Sequence, residues 1–310
     1  MKILIIEDDV DLAELLKTKL VSEGYQVGVI NTGNGAFEYA KQFKPEIVIL
    51  DIMLPGVTGY QICRRIRRDP ELYRIGILIL TALGEEPEVI HGLEQGADDY
   101  LVKPFKLEKL MDKITSLSSL LVSVASRNSI TNLPGTDAIK REIDHKLARG
   151  ENIAVVYISI VGFKPYCVAK GPEGQKKALH FLATMLMDLK RSLALYESFF
   201  AHIGGEHFVV LLNASDYEKF CESLITNFDQ RKRELYTDAE FNQGFVLSVD
   251  RQGASVKCPL MALSIGVVHN TYRHFRNAKK MFEVLAQVRQ KALPTEGKSI
   301  YFVDRRKTDR

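Results

Sequence analysis

Short apolar runs alternate with helical patterns along the first 120 residues of the chain. The runs that we interpret as strands are Lys2–Ile6, Val27–Ile30, Ile47–Leu50, Ile77–Leu80 and Tyr100–Val102. The stretch after the first run has apolar residues at helical spacing, namely Leu12, Leu15, Leu16 and Leu20. Strands that alternate with helices are typical of α/β domains. We therefore predict a doubly wound, five-stranded parallel sheet that is covered on both faces.

A long helix is predicted after Pro104. Its apolar positions are Leu107, Leu110, Ile114, Leu117, Leu121 and Val124, at intervals of 3, 4, 3, 4 and 3 residues. This heptad spacing is typical of a coiled-coil seam, and it covers about two and a half heptads. We predict that Leu107 to Ile114 face the core of the first domain and that residues 117–127, from Leu117 onward, form a helical stalk that supports a dimer. The segment Arg127-Asn128-Ser129 then marks the break before a second domain.

The pattern from residue 128 onward mixes longer helices with strands and hairpins. The predicted strands are Ile153–Ile160, Phe199–Ile203, His207–Leu212, Phe245–Val249, Ser255–Lys257, Leu260–His269 and Ser299–Val303. The predicted helices are Gly174–Leu193, Tyr217–Arg233 and Arg273–Leu293. Gly204-Gly205 is a two-glycine signal for a tight hairpin, and Asp250-Arg251-Gln252-Gly253 connects a second hairpin. We predict a mixed α/β domain over residues 128–303 and a basic tail over residues 304–310.

Charge is distributed unequally between the two halves. Residues 1–120 contain 14 Lys and Arg against 19 Asp and Glu, whereas residues 121–310 contain 28 against 20. This asymmetry suggests two units with different roles. The chain has neither zinc-finger spacing nor a dense Lys/Arg stripe, so we predict no DNA binding. No apolar run approaches the roughly 20 residues that cross a membrane, and we predict a cytoplasmic protein without membrane insertion.

Acidic residues follow two of the predicted strands of the first domain. Glu7 and Asp8 come after the first strand, and Asp51 comes after the third. Because these strands are neighbours in doubly wound sheets of this kind, the carboxylates are expected to converge on one crevice. Clustered carboxylates are costly without a cation, and all-oxygen ligands suit Mg²⁺. Thr81 and Lys103, at the ends of the fourth and fifth strands, add a hydroxyl and an ammonium that can hold phosphoryl oxygens as Asp51 attacks a phosphodonor.

Several segments of the first domain occur in the order and spacing of one known family. They are Ile5-Ile6-Glu7-Asp8-Asp9, Ile49-Leu50-Asp51-Ile52-Met53-Leu54-Pro55-Gly56, Leu80-Thr81-Ala82 and Tyr100-Leu101-Val102-Lys103-Pro104-Phe105. With these segments, residues 1–120 resemble a response-regulator receiver domain. The resemblance implies that the domain catalyses only its own phosphoryl transfer and dephosphorylation.

The same resemblance implies a role for each residue of the predicted crevice. Asp51 is the implied phosphoacceptor, and the implied Mg²⁺ ligands are Glu7, Asp8, Asp51 and the backbone carbonyl of Met53. Thr81 and Lys103 are implied to contact the phosphoryl oxygens. Tyr100 stands at the position of the switch aromatic, which turns inward when Thr81 moves toward the phosphate. The Lys103-Pro104 peptide bond is expected to be cis.

Segments of the second half follow the order and spacing of another family. They are Asn128-Ser129-Ile130-Thr131-Asn132-Leu133-Pro134-Gly135, Gly204-Gly205-Glu206-His207-Phe208, Ser264-Ile265-Gly266 and Gly297-Lys298-Ser299. Residues 128–303 thereby resemble, distantly, the GGDEF diguanylate cyclase domain, whose corresponding motifs are D-x-L-T-G-L-P-N, G-G-D/E-E-F, S-x-G and G-R-N. This family joins two GTP molecules into cyclic di-GMP with two divalent metals that carboxylates hold.

The second domain departs from that family at the positions that carry catalysis. Aligned on Phe163-Lys164, the departures are Ser159 and Val161 for two strand aspartates, Cys167 for the asparagine that reads guanine, Lys176 for an aspartate, and His207 for the hairpin glutamate. Leu195 and Ser198 stand where the family has its R-x-x-D product site. Glu206 remains a potential metal ligand, but one carboxylate is a poor Mg²⁺ site. We therefore predict a degenerate domain without useful cyclase turnover.

Two features of the second domain allow other interpretations. Glu206 and His207 adjoin, but consecutive strand residues point to opposite faces, and so we predict that they do not share a ligand. The segment Asn242–Pro259 is predicted to be an extended hairpin, which is either a partner surface or an inert insertion.

The combined hypothesis is a two-component response regulator. A sensor histidine kinase phosphorylates Asp51, the chain forms a homodimer, and the degenerate GGDEF-like domain binds a downstream protein partner. Two alternatives stay open: a phosphorylation-controlled diguanylate cyclase, and a sensor that binds GTP or cyclic di-GMP without turnover.

Overall fold

The computed structural model describes residues 1–82, 95–249, 254–290 and 297–306. The chain divides into two units with separate hydrophobic cores. The first unit comprises Met1–Ala125 with Asp144–Gly150, and the second comprises Ser126–Ile143 with Glu151–Arg310. Three predicted features lie outside the described residues: the turn Asp250-Arg251-Gln252-Gly253, the end of the last predicted helix at Leu293, and residues 307–310 of the basic tail.

A five-stranded parallel sheet forms the centre of the first unit. Its strands are β1 (Lys2–Ile6), β2 (Gln26–Ile30), β3 (Ile47–Asp51), β4 (Gly76–Thr81) and β5 (Asp99–Val102). They lie in the order β2-β1-β3-β4-β5, and every neighbouring pair is parallel. The central strands β3 and β4 are buried at every residue, which explains their almost continuously apolar sequences. The predicted doubly wound sheet is confirmed.

Four described helices cover the two faces of this sheet. They are α1 (Val10–Ser22), α2 (Ala36–Phe43), α3 (Gly59–Arg68) and α4 (Leu107–Ala125). One core cluster joins α1 and α4 to the sheet, and a second joins α2 and α3 to the opposite face. The Asp9 carboxylate caps α1 by accepting a hydrogen bond from the Leu12 N–H at 3.0 Å. A capping box formed by Thr58 and Gln61 begins α3 in the same way.

The heptad positions of α4 that face the core extend farther along the helix than the sequence predicted. Leu110, Ile114 and Leu117 are all buried in the core of the first unit, and Leu117 is only 3% exposed. Leu117 lies beside Gly76, where the start of β4 has no side chain to keep it away. The prediction that a stalk begins at Leu117 is therefore wrong, because this residue still packs on the sheet.

We expect a Leu117→Ala substitution to lower the free energy of unfolding of the first unit by about 2–5 kcal/mol, because it leaves a cavity in a closed core. The matched control is Val122→Ala on the same helix. Val122 is 70% exposed, so its effect should stay within about 0.5 kcal/mol. Hydrogen exchange of the β3 and β4 amides in the full chain measures the change in unfolding free energy for each of the two variants. Equal effects of the two variants would contradict the placement of Leu117 in the core.

The second unit contains a five-stranded sheet and a separate two-stranded hairpin. The sheet consists of β6 (Ile153–Val161), β7 (Phe199–Gly204), β8 (His207–Asn213), β11 (Ala262–His269) and β12 (Ile300–Val303), and the hairpin consists of β9 (Phe245–Val249) and β10 (Ser255–Pro259). The sheet order is β12-β11-β6-β8-β7. Its pairs are antiparallel except for β11 with β12. The prediction of a mixed α/β second half is confirmed.

The described helices of the second unit are more numerous than the sequence pattern predicted. They are α5 (Thr136–Ala148), which belongs to the second unit as far as Ile143, α6 (Phe163–Ser192), α7 (Tyr217–Arg231), α8 (Asp238–Gln243) and α9 (Ala278–Arg289), with a 3₁₀ turn at Lys232–Leu235. The prediction missed α5, although Ile139, Ile143 and Leu147 recur there at helical spacing, and it missed α8, which has few apolar residues. It also missed the first part of α6, because Gly171 adopts a left-handed conformation (φ 67°) before Pro172 and breaks the pattern there.

Within the described ranges, no helix is both long enough and apolar enough to span a membrane.

Candidate functional site

The carboxyl ends of the parallel strands bring the predicted acidic residues together. Glu7 and Asp8 follow β1, and Asp51 is the last residue of β3. The two strands are direct neighbours, with Ile6 opposite Leu50. One carboxylate oxygen from each of the three acids lies within 4.8 Å of the others. The expected convergence of these carboxylates is confirmed, and they form a donor set that could hold Mg²⁺.

Lys103 neutralises two of the three acids. Its Nζ atom lies 2.7 and 2.8 Å from the two carboxylate oxygens of Glu7 and 2.5 Å from Asp51 Oδ2. The residue follows β5, where its backbone N–H donates to the Thr81 carbonyl at 2.7 Å. Its peptide bond to Pro104 is cis, as predicted. A single ammonium therefore spans the ends of β1 and β3 from β5.

The pKa values of the two buried acids, Glu7 and Asp51, are shifted in opposite directions. Burial raises the pKa of Glu7 to about 7, against the lowering effect of the Lys103 hydrogen bond, and the Asp51 charge adds to the increase. Burial would also raise the pKa of Asp51. The hydrogen bonds from Lys103 and the Met53 N–H outweigh that effect and hold the pKa of Asp51 below its usual value. Asp51 is therefore ionised at neutral pH and can act as a nucleophile.

Both oxygens of Asp51 have defined partners. Oδ1 accepts a hydrogen bond from the Met53 N–H at 2.9 Å, while Oδ2 faces Lys103. The chain then turns back into α3, and Gly59 passes so close that a Cβ atom there would lie 2.1 Å from the Asp51 carbonyl oxygen. Sequence reasoning missed Gly59. Its signal is a glycine directly after the helix-capping Thr58, where no turn requires a positive φ.

Two further predicted residues, Thr81 and Tyr100, lie on β4 and β5, the two strands that follow β3 across the sheet. Thr81 is the last residue of β4, is 3% exposed, and follows the residue that pairs with Asp51. Tyr100 lies in β5 and is half-buried against the α2–α3 side of the core. The Lys113 ammonium lies 5.6 Å from the Tyr100 ring centroid and 2.6 Å from Asp99 Oδ1.

The comparisons with known proteins agree with this geometry. Residues 3–115 match the family model described as the response regulator receiver domain, so the first unit is a receiver domain of the two-component type. Over 116 residues, 37% of this chain, it is 45% identical to the phosphate regulon transcriptional regulatory protein PhoB of Rhizobium meliloti (strain 1021), of which it covers 51%. Over 113 residues, 36% of this chain, it is 41% identical to the DNA-binding response regulator MtrA of Mycobacterium leprae (strain TN), of which it covers 49%.

A solved structure is similar over the same region. The BeF3-activated N-terminal receiver domain of Klebsiella pneumoniae RstA is 33% identical, with coverage of 38% of this chain and 97% of that chain and a TM-score of 0.36. The chain thus spans about half the length of the curated relatives that it matches. All three similarities concern the receiver region.

The glycine pair of the second unit forms the predicted tight turn. Gly204 and Gly205 both have positive φ, 112° and 55°, and they connect β7 to β8. Phe208 is fully buried in the core. Glu206 and His207 were predicted to point apart, but Glu206 Oε1 lies 4.0 Å from His207 Nε2. The premise of strand alternation was wrong, because Glu206 belongs to the turn and not to the strand. That the two residues share no ligand stays a prediction.

The positions that differ from the cyclase family surround this turn. Ser159 on β6 pairs with His207, and the Ile160 N–H donates to the Glu206 carbonyl at 3.1 Å. Val161 is 38% exposed at the end of the same strand. Among the described residues, the acidic triad of the first unit is the single group of three or more His, Cys, Asp or Glu side chains close enough to share a metal. Glu206 belongs to no such group.

The remaining positions at which the chain differs from the cyclase motifs lie in different surroundings. Cys167 is half-buried on α6, and burial raises the pKa of its thiol. Lys176 is exposed and pairs with Glu173 at 2.9 Å. Leu195 and Ser198 are both buried, so neither offers a surface group for a ligand.

The closing segment Gly297-Lys298-Ser299 is anchored within the second unit. The Ser299 hydroxyl donates to Asp229 Oδ1 at 2.8 Å and accepts a hydrogen bond from the Leu263 N–H at 2.9 Å. Lys232 Nζ donates to the Gly297 carbonyl at 2.6 Å and to Asp229 at 3.0 Å. These contacts give the segment a structural role beside β11.

Proposed function

We propose that this chain is a two-component response regulator that accepts a phosphoryl group on Asp51 from a sensor histidine kinase. The observation that carries the proposal is the pocket in which an ionised Asp51 is held between Lys103 and the Met53 N–H, beside Glu7 and Asp8. A buried acid of this kind, with its pKa held low at the edge of a parallel sheet, is equipped for nucleophilic attack.

The proposed reaction is a direct phosphoryl transfer. A carboxylate oxygen of Asp51 attacks the phosphorus of a phosphohistidine, an O–P bond forms, the P–N bond breaks, and the imidazole nitrogen leaves with the electron pair and takes a proton from solvent. The Lys103 ammonium and the Thr81 hydroxyl then contact the phosphoryl oxygens and balance their charge.

The three acids suit a resident Mg²⁺ ion. Glu7, Asp8, Asp51 and the Met53 carbonyl would hold it, and when bound it would supply positive charge to the transferring phosphoryl group. The proximity of the three carboxylates supports this assignment, because such a cluster is costly without a cation.

We propose that phosphorylation is read through Thr81 and Tyr100. Movement of the Thr81 hydroxyl toward the phosphoryl group would open space for the half-buried Tyr100 ring to turn inward, which is a shift between two arrangements. A homodimer is part of the proposal. The heptad position Val124, which is only half-buried in the single chain, supports a contact at the end of α4, whereas Leu121 packs partly on the core of the first unit.

For residues 128–303 we propose a degenerate GGDEF-like output domain that binds a protein partner. The Gly204-Gly205 turn and its antiparallel hairpin support the fold assignment. The side chains of Ser159 and Val161, which cannot ligate a divalent cation well, support the loss of turnover. The names of the relatives PhoB and MtrA describe a transcriptional regulator and a DNA-binding regulator, but the similarity ends with the receiver region.

We expect no cyclic di-GMP when the full chain is incubated with GTP and Mg²⁺, either with or without beryllofluoride as a phosphoryl mimic on Asp51. The reason is that Glu206 alone cannot hold two metals. Product analysis by chromatography checks this, with a Glu206→Gln variant as the matched control. Product from the native chain that disappears in Glu206→Gln would overturn the output assignment and identify a switched cyclase.

The nucleotide-sensor alternative needs a separate measurement. Calorimetric titration of the full chain with cyclic di-GMP is expected to give no binding heat, since the R-x-x-D positions are occupied by the buried Leu195 and Ser198. Titration with GTP is expected to give none either, since Cys167 stands in place of the asparagine that reads guanine. Saturable heat with either nucleotide would establish a sensor in place of a purely protein-binding output.

A further inference from the structure

One buried imidazole joins two loops of the second unit. His202 lies in β7, is 4% exposed, and stacks on Phe208 with ring centroids 4.4 Å apart and planes at 7°. Its Nε2 atom lies 2.9 Å from the Gly205 carbonyl oxygen, and its Nδ1 atom lies 3.2 Å from Thr131 Oγ1. The ring therefore contacts the glycine turn on one side and the segment that begins the second unit on the other.

The chemistry of its partners determines how the ring is protonated. A carbonyl oxygen can only accept, so Nε2 of His202 must donate to Gly205. Burial lowers the pKa of His202, while the bond to Gly205 acts in the opposite direction. The neutral ring leaves Nδ1 as an acceptor for the Thr131 hydroxyl, whose single proton it shares with Asn128 Oδ1 at 3.3 Å. One side chain thus uses its donor on the turn and its acceptor on the segment.

The segment on the Thr131 side, residues 128–134, is a closed loop that we call the lead-in segment. The Asn128 side chain accepts hydrogen bonds from the N–H groups of Ile130 and Thr131 at 2.9 and 3.0 Å. The Asn128 N–H donates to the Leu133 carbonyl at 2.9 Å, and the His202 N–H donates to the Pro134 carbonyl, also at 2.9 Å. The internal bonds hold the loop in one conformation, and it begins three residues after α4 ends.

We propose that His202 is a positioning residue that couples the lead-in segment to the Gly204–His207 turn through its two ring hydrogen bonds. A change of the lead-in segment at the end of α4 then alters the turn, which carries Glu206 and His207. The coupling itself is internal to the second unit, and it rests on the proposed function only for the source of the change, which is phosphorylation of Asp51.

Two conservative variants separate the two hydrogen bonds. In His202→Gln the amide nitrogen can reach the Nε2 position and keep the bond to Gly205, but the acceptor for Thr131 is lost. In His202→Asn the amide oxygen can replace Nδ1 and keep the bond to Thr131, but the donor to Gly205 is lost. His202→Phe retains a ring to stack on Phe208 and removes both bonds.

Hydrogen exchange of the full chain, followed in peptides over residues 128–134 and 204–208, tests the coupling. We expect about ten-fold faster exchange of the lead-in segment in His202→Gln, of the turn in His202→Asn, and of both in His202→Phe. Adding Thr131→Val also removes the contacts of the Thr131 hydroxyl with Asn128 Oδ1 and the Leu133 N–H. It should therefore accelerate the lead-in segment in both variants, and by the larger factor in His202→Asn, which still has the bond to Thr131 to lose. The matched control is His269→Phe, whose half-buried ring stacks on Tyr217 and contacts neither loop.

The outcomes decide between coupling and a general packing role. If His202→Gln and His202→Asn accelerate both loops equally, or if neither accelerates any, the proposal is overturned. These two variants keep the test decisive should His202→Phe fail to fold.

Beryllofluoride then tests the source of the change. In the native chain it should alter exchange in both loops. In His202→Gln it should still alter the lead-in segment but no longer the turn, and a response of the turn equal to that of the native chain would overturn the coupling. If beryllofluoride alters neither loop of the native chain, phosphorylation is not the source of the change. Whether Asp51 accepts a phosphoryl group is measured separately, as a hydroxylamine-sensitive adduct in the intact mass. In that case the coupling is tested by the exchange rates of the chains that combine Thr131→Val with His202→Gln or with His202→Asn.

Discussion

The Asp51→Asn chain is expected to take up no phosphoryl group from a sensor kinase or from acetyl phosphate. The neutral amide lacks the negative charge that makes the Asp51 carboxylate a nucleophile, and its nitrogen lone pair is delocalised into the carbonyl group. The surroundings should survive the change, because asparagine keeps the shape of the side chain and its oxygen can still accept from the Met53 N–H. Asparagine removes repulsion toward the other two carboxylates but also removes the ion pair with Lys103, whose ammonium keeps Glu7 as its partner.

Intact mass spectrometry with a hydroxylamine step measures this loss, since hydroxylamine cleaves acyl phosphates. The matched control is Asp11→Asn, which removes an exposed acid of α1 and should leave uptake unchanged. A hydroxylamine-sensitive adduct on the Asp51→Asn chain would mean that Glu7 or Asp8 is the acceptor, and it would contradict the assignment.

We expect the second large effect from Lys103→Met, which should lower the free energy of unfolding of the first unit by about 2–4 kcal/mol when no divalent cation is present. Methionine leaves the buried carboxylates of Glu7 and Asp51 without the ammonium that lies between them. Breaking a buried pair costs about 3–5 kcal/mol. Part of that cost is recovered here, because Glu7 has a pKa raised to about 7 and can take up a proton.

The loss is measured by hydrogen exchange of the β1 and β3 amides in EDTA and again in Mg²⁺. Mg²⁺ should narrow the difference, because binding to the acids supplies the missing positive charge. The control is Lys113→Met, which breaks the partly exposed pair with Asp99 and should change stability by less than about 1 kcal/mol. Equal stability of the two variants in EDTA would show that Lys103 does not hold the acids together.

The candidate site could largely be predicted because its residues stand at strand ends. Glu7, Asp8 and Asp51 each follow an apolar run, and parallel strands deliver their carboxyl ends to one edge. The distribution of charge could not be predicted in the same way. Lys103 contacts Glu7 as well as Asp51 because β5 and β1 flank the two central strands, and that distance depends on the twist and packing of the sheet.

The second unit was harder to predict because its signals are weaker. The break at Gly171-Pro172 concealed the first part of α6. In α5 the apolar positions Ile139, Ile143 and Leu147 extend over only about two turns, and that short signal was overlooked. Glu206 was treated as a strand residue, although the two glycines before it extend the turn by one position. Periodicity identifies which residues are apolar, but it cannot decide where a turn stops.

By itself, the sequence determined the two-part organisation, the parallel sheet of the first unit and the acids at its edge. The elements follow from the spacing of apolar residues along the chain, and the site follows from acids that come directly after apolar strands. Only the tertiary structure decided that Leu117 belongs to the core, that Lys103 serves two carboxylates, and that His202 connects Thr131 to Gly205. These contacts join residues that are far apart in sequence. Their distances are set by how helices and sheets pack, and no pattern along the chain encodes them.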